Sequence, residues 1–430
     1  MLHIWRMEGI LCYSIVSVKV LYIIPAEFNP KYDNIWSMKV CIMCGGEGTR
    51  LRPLTFERPK PCIPIVNIPS IIHLVDHLSN LGFTDIVVTL GYKGDDIQDL
   101  LGDGSLFGAE ITYVRDPVKL GTAGSVKNAE EYLNDSPFLV VGGDHITDID
   151  LLQFYREHLR GDAIASIGLI SIDEPSEYGI AEIDVNYEIM RFTEKPSPGQ
   201  IFSNLASTGM YVCNPGIFEY IPENTKFDFA KDLFPILMEH PETHISGWLA
   251  RGNWSDVGSP RSLREAEHWK LQEMSYTNIS GDITIKGATV HGPVHFGEGV
   301  VIGENSKIIG PVSIGSGTII GNRVIIGPYT SLGNDCVIRE GVKIFSSSIY
   351  NHVHIGADTT ISGSIIDNEA AIRERCNIEN DTVIGPRSVI KQGSVVHSKT
   401  RIWPEAVIPE HSVVTEDYLN PDYETLCSGS

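Results

Sequence analysis

Positive charge is what this chain lacks most: 33 Lys and Arg face 55 Asp and Glu across 430 residues, a formal net charge of −22. Phosphate contacts dominate nucleic-acid affinity, so this balance argues against a nucleic-acid partner. Cysteine is sparse as well. The eight, at 12, 41, 44, 62, 213, 336, 376 and 427, form no disulfide ladder, and a reducing, cytoplasmic compartment is expected. Cys41 and Cys44 make a single CxxC inside an apolar run, without a second pair or histidine nearby, and read as buried strand residues. A membrane partner is not expected either. The stretch GILCYSIVSVKVLYIIPA near the N-terminus is interrupted by Lys19, falls short of the ~20 residues that span a bilayer, and lacks a convincing small-residue cleavage site. Residues 1–37 read as an extension with a misassigned start ahead of Met38, an anchor or targeting segment being the alternative.

What is present is a globular composition, 42% hydrophobic and 20% charged, at a length suited to two or three domains. From Met38 to about residue 275, short apolar runs alternate with amphipathic stretches. KVCIMC, DIVVTLGY and PFLVVGGD read as strands; SIIHLVDHLSNLG, through Ile72, Leu74, Val75, Leu78 and Leu81, and AGSVKNAEEYLN read as helices. This rhythm predicts an α/β fold with right-handed βαβ units and a mostly parallel sheet. Ligands bind beyond the carboxyl ends of such strands, where both CGGEGTR and VGGD fall.

The period then changes. Ile302, Ile308, Ile314, Ile320, Ile326, Leu332, Ile338 and Ile344 are six residues apart, and the frame slips by one before Ile349 and again before Ile366. Six fits neither a helix nor an alternating strand; it fits a β-solenoid over residues 276–415, each hexad forming one side of a triangular coil. The aliphatic residue is expected to face the axis and glycine or asparagine to take the tight corner, in five or six coils. Residues 416–430 read as a polar, loosely ordered tail.

GGEGTRLRPLTFERPKP, residues 45–61, concentrates what the rest of the chain lacks. Glycines allow backbone N–H groups close to phosphate oxygens, and Arg50, Arg52, Arg58 and Lys60 add charge suited to a triphosphate. The stretch is neither a Walker A loop nor a GxGxxG fingerprint. As a whole it closely resembles the GGxGTRLxPLTxxxPKP signature of sugar-phosphate nucleotidyltransferases. LGTAG at 120–124, GGD at 142–144, YG at 178–179, EKP at 194–196 and WSDVG at 254–258 follow in that family's order.

The resemblance implies a Rossmann-like nucleotidyltransferase domain over 38–275 and makes the solenoid a left-handed parallel β-helix. It implies transfer of a nucleotidyl group from an NTP to a sugar 1-phosphate, with release of pyrophosphate. Gly45, Gly46, Gly48, Thr49, Gly121 and Thr122 would lie about the nucleotide. Arg50 resembles the arginine that grips the β- and γ-phosphates, and Lys60 the lysine at the α-phosphate. Lys195 resembles the lysine that holds the sugar phosphate, with Glu194 and Gly179 at the sugar. Asp144 and Asp256 resemble a pair of Mg²⁺-binding carboxylates. Ser207 departs from the pattern: the family often has asparagine there, in a segment like NTGIY, and serine offers fewer hydrogen bonds to the sugar.

LGTAG, GNWSDVGSP and TRIWP together look most like mannose-1-phosphate guanylyltransferases, with glucose-1-phosphate thymidylyl- and uridylyltransferases as the alternative. Two readings from other classes stay open. Solenoid histidines such as His352 and His354 could serve an acetyltransferase, and some translation-initiation exchange-factor subunits share this architecture as non-catalytic scaffolds. The scaffold reading expects erosion of the phosphate-binding set, and that set is intact. The flat faces and open ends of a solenoid favour a homo-oligomer.

Overall fold

The computed structural model describes residues 38–424; the extension over 1–37 and the last six residues of the tail lie outside the described residues. KVCIMC forms β1 (Lys39–Cys44), buried on both faces. Val40, Ile42 and Cys44 join one core and Cys41 another, as the two-residue period of a strand requires. Burial pushes both thiols far above the ordinary cysteine value, so the CxxC is strand packing.

Three strands parallel to one another flank and extend β1: β2 (Asp85–Leu90) and β4 (Phe138–Gly142) pair with it, and β3 (Glu110–Arg115) pairs with β2. The sheet continues through β5 (Ala165–Ser171), β6 (Gly179–Ile183), β7 (Ile189–Glu194), β8 (Leu205–Cys213) and β9 (Ile245–Leu249), in the order β7-β6-β8-β4-β1-β2-β3, with β5 and then β9 also added along β8. The expected mostly parallel sheet is therefore mixed: β8 runs antiparallel to β4, β5 and β6, and β7 antiparallel to β6. Helix α1 (Ser70–Asn80) buries Ile71, Leu74, Val75 and Leu78 along one stripe. The helix expected over 123–134 is two pieces, α2 (Gly121–Asn128) and a turn at Glu130–Leu133, broken at Ala129. Farther on come α3 (Leu151–Arg160), capped by the Asp150 carboxylate, and α4 (Pro260–Gln272), capped by Ser259.

Strands from Asn278 to Val414 stack in three parallel sheets of eight, which fits a left-handed parallel β-helix. The coils number eight, not five or six. The period runs on past the Ile302 to Ile402 stretch, through exposed Ile279 and Ile285 at one end and buried Ile408 and Val414 at the other. Ile302, Ile320 and Ile338 stack in register down one sheet, and all face the core. The two frame slips are corners shortened by one residue, at Ser346 and Gly363, where the backbone turns left-handed two residues after the aliphatic side chain.

From Phe296 onward the other left-handed corners fall three residues after it, four on glycine (Gly299, Gly317, Gly341, Gly393) and more on other residues, among them Asn305, Arg323, Asp335, His352, Asp358, Arg375 and Lys399. The glycine that directly follows the aliphatic residue has another reason. A Cβ at Gly315 would lie 2.4 Å from the Gly333 carbonyl carbon of the next coil. Glycine here permits coil-to-coil approach, while the corners tolerate side chains that project into solvent.

From residue 37 onward the chain clusters as one unit. A shared apolar cluster joins Leu51, Leu54, Ile63 and Ile65 to Val257 and Leu263, and to the solenoid's Tyr350, Ile365 and Val383. In this seam Glu267 of α4 is buried and accepts hydrogen bonds from Ser331 Oγ (2.6 Å), from Ser348 Oγ and from the Val66 backbone (3.2 Å). Burial raises its carboxyl from the ordinary 4.5 to about 7, against the opposing pull of Ser331, Val66 and Arg264. A carboxyl raised on folding binds protons more tightly in the folded state, so its stability contribution is full below pH 4.5 and is lost as pH rises through about 7. Glu267→Gln is therefore expected to flatten the pH dependence of the urea midpoint between pH 5 and 8, by up to about 3 kcal/mol. Parallel curves for variant and parent would show that Glu267 does not titrate in this window.

Candidate active site

Two loops at the carboxyl ends of neighbouring parallel strands build the site. After β1 the chain runs through Gly45 and Gly46 to Gly48, which is left-handed at φ 64°, and a Cβ there would press on Thr55 and Lys60 at 3.0 and 3.2 Å. Thr55 Oγ1 donates to the Gly48 carbonyl (2.9 Å), folding the loop back on itself. It then enters a single turn at Thr49–Leu51, while the next α-helix waits until Ser70. This loop therefore does not open a helix in the manner of common phosphate loops. Buried Leu51 and Leu54 anchor it from below.

After β4, Gly142 and Gly143 lead to Asp144. A Cβ at Gly143 would collide with Cys44 Sγ at 2.3 Å, so glycine lets the two loops lie side by side. Lys60 Nζ meets Asp144 Oδ2 in an ion pair across them. Burial tends to raise the Asp144 carboxyl, but the Lys60 ammonium beside it, helped by His145, holds it below the usual aspartate value.

A small antiparallel ribbon completes the strip. Ile146–Thr147 pairs with Trp254–Ser255, Ser255 opposite Ile146, so Asp256 emerges beside His145. That register brings together two aspartates 112 positions apart in the chain. Asp256 Oδ1 accepts from the Gly258 N–H at 3.2 Å. Arg50 lies against the same turn: a Cβ at Gly258 would sit 2.9 Å from Arg50 Nη2 and 3.0 Å from Asp256 Oδ2. The Arg50 guanidinium also reaches Glu177 at 3.5 Å and is half exposed.

Arg52 and Arg58 do not join this strip. Arg52 pairs with Glu47 at 3.8 Å, and Arg58 turns into the solenoid to meet Asp367 at 2.7 Å. Arg58 is thus used against the solenoid, while Lys60, two residues on, returns to the strip.

On the far side of the cleft, Gly121 is left-handed and packed so that a Cβ would meet the Phe227 carbonyl at 2.7 Å. Thr122 Oγ1 donates to Asp228 Oδ1 (3.1 Å) and accepts from the Phe229 N–H (3.0 Å). Gly179 stands opposite Glu194 in the β6–β7 pair, where a Cβ would lie 2.8 Å from Glu194 Oε2. Burial raises the Glu194 carboxyl, opposed by Lys195 and Lys231 and reinforced by Asp228. Lys195 is exposed, left-handed at φ 46°, and its N–H donates to the Tyr178 carbonyl at 3.0 Å. Ser207 is buried in β8, and its hydroxyl accepts from the Gly209 N–H at 3.2 Å, within a bulge of its own strand.

The sequence did not point to His145, Asp116 or Asp228. His145 is buried, packs edge-on against Trp254 and stands 3.8 Å from Asp144; burial lowers its basicity while Asp144 and Asp256 oppose the change. Its position directly after GGD was the available signal. Asp116 follows β3, where Ser125 Oγ (2.6 Å) and Asn128 Nδ2 (3.1 Å) donate to it beside Gly45. Nothing local marks it or Asp228. Among the described residues no group of three or more His, Cys, Asp or Glu side chains forms a ready metal cage. Two carboxylates open to a cleft suit a divalent ion that draws its other ligands from phosphate and water.

A glycine loop, two basic groups and two aspartates that both act on His145, set at strand ends, suit phosphoryl chemistry in an α/β fold. The nucleotidyl transferase family matches residues 39–273, and a family described as the GMPPB C-terminal domain matches residues 308–418. The chain belongs to the nucleotidyl transferase family, whose members typically use a divalent metal. It is 35% identical to the low-salt glycan biosynthesis nucleotidyltransferase Agl11 of Haloferax volcanii, across 78% of this chain and 94% of that one. It is 31% identical to the probable mannose-1-phosphate guanylyltransferase 2 of Oryza sativa subsp. japonica, across 90% and 99%. A Synechocystis UTP–glucose-1-phosphate uridylyltransferase is 30% identical across 76% and 87%. Among the described residues no helix is long and apolar enough to cross a membrane.

Proposed function

We propose that the protein makes GDP-mannose from GTP and mannose 1-phosphate, releasing pyrophosphate. The observation that carries the reaction class is the strip in which Lys60, Asp144, Asp256 and Arg50 meet at the strand ends. The base and sugar rest on the guanylyltransferase relatives, which match nearly the full length of both chains.

In this reading an oxygen of the sugar phosphate attacks the α-phosphorus, a new P–O bond forms in line, and the bond to the β-phosphate oxygen breaks. Both reactants are anions, so positioning and cationic stabilisation do most of the work. Gly45, Gly46, Gly48 and Thr49 present backbone to the triphosphate. Arg50 holds the β- and γ-phosphates, and Lys60 leaves Asp144 to neutralise charge growing on the α-phosphoryl oxygens. Asp144 and Asp256 would hold Mg²⁺, which would polarise the phosphoryl oxygens and draw charge toward the leaving pyrophosphate. Gly121 and Thr122 flank the base and ribose; Gly179, Glu194, Lys195 and Ser207 form the sugar side. A homo-oligomer joined through the β-helix and a cytoplasmic location complete the proposal, as does a division into residues 38–275 and 276–415.

Pyrophosphate release should be measured from GTP, dTTP, UTP, CTP and ATP against mannose-, glucose- and glucosamine-1-phosphate with Mg²⁺. The expected result is a dominant signal for GTP with mannose 1-phosphate. A UTP or dTTP signal with glucose 1-phosphate, as the Synechocystis relative's name suggests for that protein, would keep the mechanism and replace the substrates. Silence throughout would overturn the proposal and bring forward acetyl-CoA turnover at His352 or His354, or a scaffold role.

A further inference from the structure

The second half of the signature stretch leaves the cleft and docks on the solenoid, immediately before Lys60. Glu57 receives two hydrogen bonds from Arg387, one from Nη1 to Oε2 at 2.9 Å and one from Nη2 to Oε1. Arg387 is itself held by Glu405, through Nε at 3.0 Å and Nη2 at 2.8 Å. One residue on, Arg58 Nη2 donates to Asp367 Oδ1 at 2.7 Å, with the Asp367 side chain fully buried. Phe56 packs on Trp403, ring centroids 5.0 Å apart. Asp367, Arg387 and Trp403 come from three different strand–corner segments of the β-helix, all on the side turned to the catalytic loop.

We propose that Arg387 and Asp367 are positioning residues for nucleotidyl transfer: through Glu57 and Arg58 they set where Lys60 stands over the cleft. The inference rests on the role given to Lys60 above. The link between them is short and stiff, because Pro59 and Pro61 flank Lys60 and proline restricts both its own φ and the residue before it. A shift at Glu57 or Arg58 therefore reaches the lysine rather than being absorbed by the chain. A charge pair buried at one end and forked at the other defines an orientation as well as an attraction. The solenoid thus takes part in catalysis at a distance, without touching substrate.

The test uses the full chain in four forms: parent, Glu57→Arg, Arg387→Glu, and the double swap made together with Glu405→Gln, so that the introduced carboxylate meets no second one and opposite charge is restored. Positioning predicts that each single reversal lowers kcat about tenfold or more while the KM for the triphosphate changes little, since misplacement of about an ångström costs that much or more. It also predicts faster hydrogen exchange at the Cys62 and Ile63 amides, which close the turn on Pro59 and Lys60, and recovery of both readouts in the double swap. Unchanged kcat in Arg387→Glu would overturn the proposal. So would a loss that merely follows a lowered unfolding temperature, or a double swap in which slow exchange returns and kcat does not. Exchange needs no substrate, so it reports on the loop even if the parent is silent with every sugar phosphate; that silence would count against the function and not against the docking.

Discussion

Replacing Lys60 by alanine is expected to lower kcat for pyrophosphate release by about a thousandfold, or about 4 kcal/mol of transition-state stabilisation. The ammonium stands where two loops meet, paired with Asp144 and mostly shielded from solvent, so its charge acts at low effective dielectric. KM should move far less, because the lysine matters most once negative charge spreads over the transferred group. Arginine in its place is expected to rescue only partly, since a planar fork does not reproduce the compact ammonium beside Asp144. Steady-state kinetics with saturating metal measure kcat and KM together, and wild-type turnover in Lys60→Ala would remove this residue from the reaction.

Asp144→Asn is the second large effect. It keeps the shape and deletes the charge, so the metal concentration at half-maximal activity should rise about tenfold or more and kcat should fall by several kcal/mol equivalent. The loop should persist, because Gly142 and Gly143 already satisfy the close approach to β1. Asp256→Asn should shift metal dependence in the same direction, since the ribbon register sets both carboxylates on one side of His145. A metal titration separates this from a simple loss of folding. If the half-saturating concentration stays put in both variants, the aspartates do not hold the ion.

Whereas the charges of residues 45–61 divide between Asp144 and the solenoid, the glycine turn after β1 could be read directly because it is contiguous. The same holds for the solenoid: each hexad meets only the coils above and below, so its chemistry repeats along the chain at a fixed interval. Counting coils failed only at the ends, where the period continues through Ile279 and Ile285 on one side and Ile408 and Val414 on the other. The corners were read in part: Gly299, Gly317, Gly341 and Asn305 do turn left-handed, but the glycines directly after the aliphatic residue do not. Close packing between coils is what those glycines serve, and residues such as Arg323 and His352 take the turn.

The sequence by itself thus determined the class of architecture and the glycine loop that follows β1. Tertiary structure alone decided how they are used. Pairing of Ile146–Thr147 with Trp254–Ser255 joined Asp144 to Asp256; antiparallel β8 made the sheet mixed; and docking on Asp367 and Arg387 drew Arg58 and Glu57 away from the cleft. Each depends on contacts between residues tens to hundreds of positions apart, whose cost in chain entropy is met by burial elsewhere in the fold. No local pattern of residues records which distant partner that burial selects.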